Sequence, residues 1–362
     1  MKTNNNIPAY RFQGYTDAWE LRKLNNIADV RDGTHNSPQY IEFGYPLVTS
    51  KNIKNGQVNF EDIQYISSFD YEEINKRSKV NINDILMGMI GTVGNLALVR
   101  EEPEFAIKNV ALIKNIGVVN VEFLYHYLGS YVIEKQLLNS IDGGTQKFIS
   151  LNKIRHLDIT FPTLPEQKAI GTFFSTLDRH ITLHQRKLDM FKEQKKTYLK
   201  LLFPAKGQSK PALRFQGFED DWEEVKLGEV VEKSGSGGTP KSTNKAYYGG
   251  NIPFLSITDI TQSGKYITNT EKTLTEIGLE NSSAWIVPKG AISLAMYASV
   301  GKLAILKTDV ATSQAFFNMV FSNEIVRDYV YFILDKAQLF NEWLPLISTG
   351  TQGNLNAQKL KE

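Results

Sequence analysis

The sequence predicts an α+β protein: two tandem α+β domains joined by a long heptad-patterned helix. Three observations predict it. First, an opening motif occurs twice, as PAYRFQGYTDAWELRKL at 8–24 and PALRFQGFEDDWEEVKL at 211–227. Second, each copy continues with short β-rich runs and then one segment of helical spacing. Third, residues 164–203 read LPEQKAIGTFFSTLDRHITLHQRKLDMFKEQKKTYLKLLF, with a single proline at the second position.

The opener comes first in each copy. Pro8, Arg11, Phe12, Gln13, Gly14, Asp17, Trp19, Lys23 and Leu24 recur in order as Pro211, Arg214, Phe215, Gln216, Gly217, Asp220, Trp222, Lys226 and Leu227. So many identities in one short window mark a duplication. Trp19 and Trp222 sit in a fixed local pattern and are expected to be core anchors rather than stacking platforms. The β-rich runs follow: PLVTS, GQVNFEDIQYI, DILMGMI and LALVR, separated by turn residues such as Asn55-Gly56. MGMIGTVGNLALV (87–99) resembles LAMYASVGKLAIL (294–306). The helical segments are 121–140 and 324–344. Each copy is expected to be a curved, mostly antiparallel sheet with a helix or two. Each then gives way to a Gly-Thr-Gln loop, GGTQKFISLNKI at 143–154 and TGTQGNLNAQKL at 349–360.

In the long stretch, apolar residues fall at Ile170, Phe174, Leu177, Ile181, Leu188, Phe191, Tyr198 and Leu202, with His184 and Lys195 filling the gaps. The spacing alternates between four and three, which is an a/d seam for another helix. Pro165 suits the first turn, Glu166 complements the positive helix start, and Pro204 ends the helix. The opposite face is basic, with Lys168, Arg179, Arg186, Lys187, Lys192, Lys195, Lys196 and Lys200. The organisation expected is a first domain at 1–162, the helix at 163–204, a polar linker at 205–210 and a second domain at 211–362. The second copy reaches Glu362 where its own long helix would begin, so the seam is expected to find its partner on a longer form of the protein or on another molecule.

Composition bounds the function. The 362 residues are 41% hydrophobic and 22% charged, enough for two cores. No apolar run reaches the ~18 residues of a membrane span, and the N-terminus has no signal-peptide core. With no Cys, disulfides and thiolate metal sites are excluded, which fits a cytoplasmic protein. The net charge of +2 means that any basic surface must be local.

Catalytic motifs are missing. His180 and His184 have the i, i+4 spacing of metal ligands, but no Glu lies between them, and a heptad position with a solvated flank explains them. SGSGGTP at 234–240 lacks the Gly-Lys-Ser/Thr of a phosphate loop and is expected to be a turn. There is no Gly-x-Ser-x-Gly elbow, and no motif set of an adenine methyltransferase or a PD-(D/E)xK nuclease.

The tandem copies, the duplicated opener, the Gly-Thr-Gln loops, Gly237-Gly238-Thr239-Pro240, Gly249-Gly250-Asn251-Ile252-Pro253-Phe254 and the LPEQKAIGTFFSTLDRHITLHQRKL helix together resemble the specificity subunit of type I restriction-modification enzymes. The resemblance covers nearly the whole chain, apart from a second conserved helix. It implies that each domain is a target-recognition domain reading one half of a bipartite double-stranded DNA sequence. It implies that the helix sets the spacing and docks modification (methyltransferase) subunits, and that restriction (translocase and nuclease) subunits then join. It implies a cytoplasmic, non-catalytic subunit of host defence with no cofactor of its own; S-adenosylmethionine, ATP and Mg belong to the partners. Self-association through the helix is the further expectation when no second helix is supplied. A coiled-coil assembly scaffold with incidental DNA contact is the alternative.

DNA binding needs cations for phosphates and polar tips for base edges. The candidates in the first copy are Arg31, Thr34, His35 and Asn36, then Ser50, Lys51 and Asn52, then Gln146, Lys147 and Ser150. In the second copy they are Lys233, Ser234, Thr239, Lys241 and Asn244, then Thr258, then Gln352 and Asn354.

Overall fold

The computed structural model describes residues 8–144, 147–347 and 354–361. The chain divides into two compact units, Met1–Gln185 and Arg186–Glu362. The helix Leu164–Leu201 begins in one and ends in the other, within two residues of the expected end.

The first unit is built on an antiparallel sheet in the order Ala28–Asp32, Val110–Asn115, Ile85–Gly88, Leu96–Leu98. Its two inner strands, Val110–Asn115 and Ile85–Gly88, are buried on both faces, which is why they read as apolar runs. Ile85, Met87, Ala111 and Ile113 face a core that includes Phe123, Leu128 and Ile133 from the helices Val121–Leu128 and Tyr131–Leu138. Leu86, Val110 and Leu112 face the opposite core, with Val48, Ile53 and Ile107. Val48 and Ile107 belong to a second sheet, in the order Gln64–Ile66, Tyr45–Thr49, Ala106–Lys108, whose last pairing is parallel.

The expectation of one curved sheet is therefore corrected to two main sheets, one of them mixed, with two antiparallel strand pairs beside them, Glu20–Lys23 with Asp158–Phe161 and Ile53–Lys54 with Gln57–Val58. Gly33 is part of the reason. After Asp32 the chain crosses so closely over the second sheet that a Cβ on Gly33 would lie 2.1 Å from the Ile107 carbonyl oxygen. Gly33 N–H donates to Val110 O (3.0 Å) and Thr34 N–H to Ile107 O (3.0 Å), so the crossing is bonded to both sheets. The helical segment expected over 121–140 is likewise two helices. Gly129 closes the first, and a new one starts after Ser130.

The second unit repeats this plan. Lys233–Ser236, Phe316–Val320, Ile292–Ala295 and Leu303–Leu306 adjoin in the same strand order, with Tyr266–Ile267 added in parallel at the edge. Phe317 and Met319 pack toward the helix Glu324–Leu339, whereas Phe316 packs toward Leu255 and Val287 of the second sheet. Gly237 repeats the crossing, its Cβ position 1.9 Å from Thr312 O.

The long helix is fastened at its start. Glu166 does not simply face the helix N-terminus: its carboxylate is buried and takes two bonds from Arg11, Nε at 2.8 Å and Nη2 at 2.5 Å. Gln167 Oε1 accepts Asn120 N–H (2.8 Å), and Gly171 lies where a Cβ would meet Phe123 N at 2.8 Å. Along the seam, Ile170 and Leu202 are half-buried, while Phe174, Leu177, Ile181, Leu188, Phe191 and Tyr198 are exposed, between 41% at Leu177 and 66% at Ile181.

Trp19 packs edge-on against Phe123, and Trp222 meets Phe203 and Tyr329. Trp19 packs on the first core as the pattern suggested, whereas Trp222 is half-buried and lies outside the second core. Among the described residues no helix is long and apolar enough to cross a membrane, and no cluster of three His, Cys, Asp or Glu could hold a metal.

Candidate functional site

In the first unit the candidate loops converge on one buried hydroxyl. Ser50 Oγ donates to Asn109 O (2.9 Å) and accepts the N–H groups of Met89 (3.0 Å) and Ile90 (3.2 Å). Thr92 Oγ1 donates to Ser50 O (2.8 Å). The loop that follows the Gly-Thr-Gln motif is tied to the same turn, with Ile149 N–H on Met89 O (2.9 Å) and Gly91 N–H on Lys147 O (2.9 Å). Asn109 has left-handed backbone (φ 54°) and turns its side chain to His35. Residues 34–36, 50–52, 89–92, 108–109 and 147–149 are thus one bonded assembly.

Within it the roles differ. Asn36, Lys51 and Lys147 are exposed. Ser50 and Asn52 are buried, which departs from their expected place at a base-reading edge. Asn52 Oδ1 accepts Thr49 N–H (3.0 Å) and its Nδ2 donates to Asn59 O (3.2 Å), so its polar tip is consumed in shaping the turn. Thr34 Oγ1 accepts Asn36 N–H (3.2 Å). Ser150 caps the helix Leu151–Arg155 by accepting Lys153 N–H (3.4 Å). Arg31 leans on Asp29 (2.7 Å) and donates to Arg77 O (3.2 Å), and the Asp29 bond raises its pKa. Gln146 lies outside the described residues.

His35 is held at both ring nitrogens. Nδ1 lies 2.8 Å from Asn109 Oδ1 and Nε2 lies 2.8 Å from Asp32 Oδ2. Asp32 is buried and also paired with Arg77. The bond to Asn109, then that to Asp32, raises the His35 pKa against burial and the nearby Arg77 charge. A ring facing two oxygen acceptors is satisfied only when both nitrogens carry protons.

The second unit repeats the tie with other side chains. Leu355 N–H donates to Met296 O (2.9 Å), the counterpart of Ile149 on Met89. Thr239 Oγ1 donates to Gln314 Oε1 (2.6 Å). Lys233 Nζ stands 4.2 Å from the Trp285 ring centroid, and Trp285 Nε1 donates to Ser236 O (3.2 Å). Ser234 is half-buried on the same strand. Below it a buried network supports the crossing: Ser293 Oγ donates to Asn318 Oδ1 (2.7 Å), and Asn318 Nδ2 donates to Thr312 Oγ1 (2.8 Å) and Gly235 O (3.2 Å). Lys241 is exposed, and Asn244 Oδ1 accepts Ala246 N–H (3.1 Å) on the excursion toward strand Tyr248–Leu255. Thr258 is exposed on the short helix Ile257–Gln262, where Ser256 and Asp259 form the capping box. Asn354 is half-buried beside Leu355, and Gln352 lies outside the described residues.

Sequence reasoning missed Thr92, Asn109, Trp285 and Gln314. Asn109 had a signal: it follows Lys108 between two β-rich runs, where Asn favours the left-handed turn. The others become visible only as contacts.

The opener differs between the copies in what it meets. Arg11 Nη1 donates to Asp17 O (2.7 Å) while its other nitrogens hold Glu166. Arg214 Nη1 repeats the first bond, to Asp220 O (2.6 Å). Beside it Phe215, Phe218, Trp222, Tyr329 and Leu199 line an apolar cavity of about 580 Å³.

Comparison with known proteins agrees with this duplicated plan. A specificity subunit of the MjaIX type I restriction enzyme of Methanocaldococcus jannaschii is 35% identical over 144 residues, covering 39% of this chain and 33% of that protein. A second M. jannaschii protein, bearing the MjaX specificity-subunit name, is 28% identical over 251 residues, 66% of this chain and 58% of its own length. The matches therefore span less than two thirds of these relatives. The crystal structure of a type I restriction-modification S subunit from M. genitalium superposes over 100% of this chain and 85% of its own, with TM-score 0.61 at 17% identity, a likeness of fold. The family described as type I restriction modification DNA specificity domain matches residues 16–192 and 219–362, and the chain belongs to that family.

Proposed function

We propose that this chain is the DNA sequence-specificity subunit of a type I restriction-modification complex. It is non-catalytic, and each unit reads one half of a bipartite target. Residues 1–162 are the first target-recognition domain, 163–204 the spacer helix, 205–210 the linker and 211–362 the second domain. The observation that carries this is the repeated tie, Ile149 to Met89 and Leu355 to Met296, holding unlike polar sets on like frames. A frame shared by both units with different tips suits two half-sites of different sequence.

In the first unit Lys51 and Lys147 are placed for phosphates and Asn36 for a base edge, with Arg31 and Thr34 beside them. Ser50, Asn52 and Ser150 support the loops. In the second unit Lys233, Thr239, Lys241, Asn244 and Thr258 take the corresponding parts, with Ser234 below them. Gln146, Gln352 and Asn354 complete the two sets. A good bidentate base contact gives about 1–3 kcal/mol of discrimination. The exposed seam suits docking of modification subunits, or of a second copy of this chain, and restriction subunits join the assembled complex. Such a complex works on DNA in the cytoplasm.

The test is reconstitution with modification subunits and a binding series against randomised half-sites at several salt concentrations. Sequence-selective binding that weakens steeply with salt is expected. Replacing Asn36 and Lys51 should relax preference at one half-site only. Equal affinity for every sequence would exclude the proposal. The exposed seam also favours a second reading, an assembly scaffold. That reading requires Leu177→Asp with Ile181→Asp to abolish assembly while DNA binding stays unchanged.

A further inference from the structure

We infer that His35 is a positioning residue, not a base reader. As an imidazolium it clamps residues 34–36 to the Ser50 assembly, so that reading of the first half-site depends on one proton. The inference rests on the proposed DNA-reading role of the first unit.

Three observations carry it. Both ring nitrogens are consumed inside the unit, by Asn109 Oδ1 and Asp32 Oδ2 at 2.8 Å each. Neither nitrogen is left for a base edge. The two acceptors belong to different parts of the chain. Asp32 ends the strand Ala28–Asp32, and Asn109 is the turn between Ala106–Lys108 and Val110–Asn115. Asn109 also passes the link on, since its carbonyl takes the Ser50 hydroxyl (2.9 Å) that orders the Met89–Ile90 turn. One proton on His35 therefore bears on the placement of Asn36 and, through Ser50, on the turn that holds Lys147.

The charged groups around the ring are Asp32, which favours the imidazolium, and Arg77, which opposes it from the helix Ser68–Ser78 while itself paired to Asp32. Lys108, next to Asn109, sends its ammonium away to Ser37 Oγ (2.5 Å), and Arg31 turns to Asp29. The balance favours the charged ring. Deprotonation would leave one nitrogen lone pair facing Asn109 Oδ1, so the clamp in this form is lost and the Asn109 amide must turn over to bond the neutral ring.

The second unit lacks the device. The run Asp32-Gly33-Thr34-His35 has Ser236-Gly237-Gly238-Thr239 as its counterpart, and Thr239, bonded to Gln314 Oε1, stands in place of the imidazole. Proton dependence is therefore confined to the first half-site.

The experiment has two arms. In the first, the full chain is labelled with ¹⁵N-histidine, and ring shifts are followed from pH 5 to 9, with His35→Gln assigning the signal. Titration of His35 above the ordinary histidine value, with both nitrogens protonated while the clamp is closed, is expected. Titration at or below that value overturns the inference whatever the chain binds. In the second arm the complex with modification subunits is tested on DNA altered in one half-site at a time. Between pH 6.5 and 9, discrimination at the first half-site should fall about three- to tenfold, and that at the second should hold. Asn109→Asp, which strengthens the acceptor, should move the loss to higher pH; a merely structural histidine would not respond so. Equal pH dependence at both half-sites overturns the inference. Absence of sequence preference at every pH strikes the DNA-reading role instead and leaves the first arm to judge the clamp.

Discussion

Replacing Gly33 by Ala should destabilise the first unit and leave the second alone. The added Cβ would sit 2.1 Å from Ile107 O and 2.5 Å from Ile107 C, where ordinary contact begins near 3.4 Å. Neither atom can rotate away, because both are backbone of the strand Ala106–Lys108. More than an ångström of separation is needed between two bonded segments. Overpacking of this kind costs about 1–3 kcal/mol. Stretching the Gly33–Val110 and Thr34–Ile107 bonds adds about 0.5–1.5 kcal/mol each. The sum is about 2–6 kcal/mol. Gly237→Ala should do the same to the second unit, since its Cβ position is 1.9 Å from Thr312 O. Gly144 and Gly264 are the controls, with nothing within 4 Å of theirs. Urea denaturation followed by fluorescence and by amide exchange resolves the two units. Each variant should shift only its own transition. A Gly33→Ala midpoint within about 0.5 kcal/mol of the Gly144→Ala control would refute the close-crossing account.

Other expectations follow from the same contacts. Ser50→Ala leaves the Met89 and Ile90 N–H groups without their shared acceptor and should cost about 1–3 kcal/mol, read by denaturation, with faster exchange at those two amides. Leu177→Asp with Ile181→Asp alters exposed seam positions, so the chain alone should keep its stability within about 0.5 kcal/mol per site. Any helix-mediated association should disappear by light scattering; retained association would place the contact elsewhere. Burial disfavours ionised Glu122, but bonds from Arg100 and Ser175 overcome it and lower its pKa below the usual carboxylate value. Its contribution is therefore present above that value and is lost as pH falls through the lowered one. The stability gap between the wild type and Glu122→Gln, measured by thermal melts, should be constant at neutral pH and close in acid. A gap that widens in acid would reverse the sign and refute the assignment.

Much of the architecture was legible in the chain. The duplicated opener gave the two α+β copies, and strict four-three spacing gave the helix to within two residues of its end. Periodicity is a local property, and a long helix averages out local exceptions. The sheets were less legible. Strands such as Val110–Asn115 are apolar on both faces, so alternation could not say which side met the helices or how many sheets there were. The candidate loops were found as loops, but His35 and Ser50 were expected to face DNA. His35 is exposed yet bonded at both nitrogens, and Ser50 is buried. Polarity announces a donor or acceptor and does not say which neighbour takes it.

Sequence alone determined the duplication, the helix, the absence of disulfides and the family resemblance, because each is written in the order and type of residues. Tertiary structure alone decided that Gly33 and Gly237 mark the crossings between sheets, that Glu166 locks Arg11, and that Asn109 joins His35 to Ser50. Those are meetings between residues dozens to more than a hundred positions apart. No local pattern encodes such a pairing; the packing of two cores on opposite faces of the same strands brings the partners together.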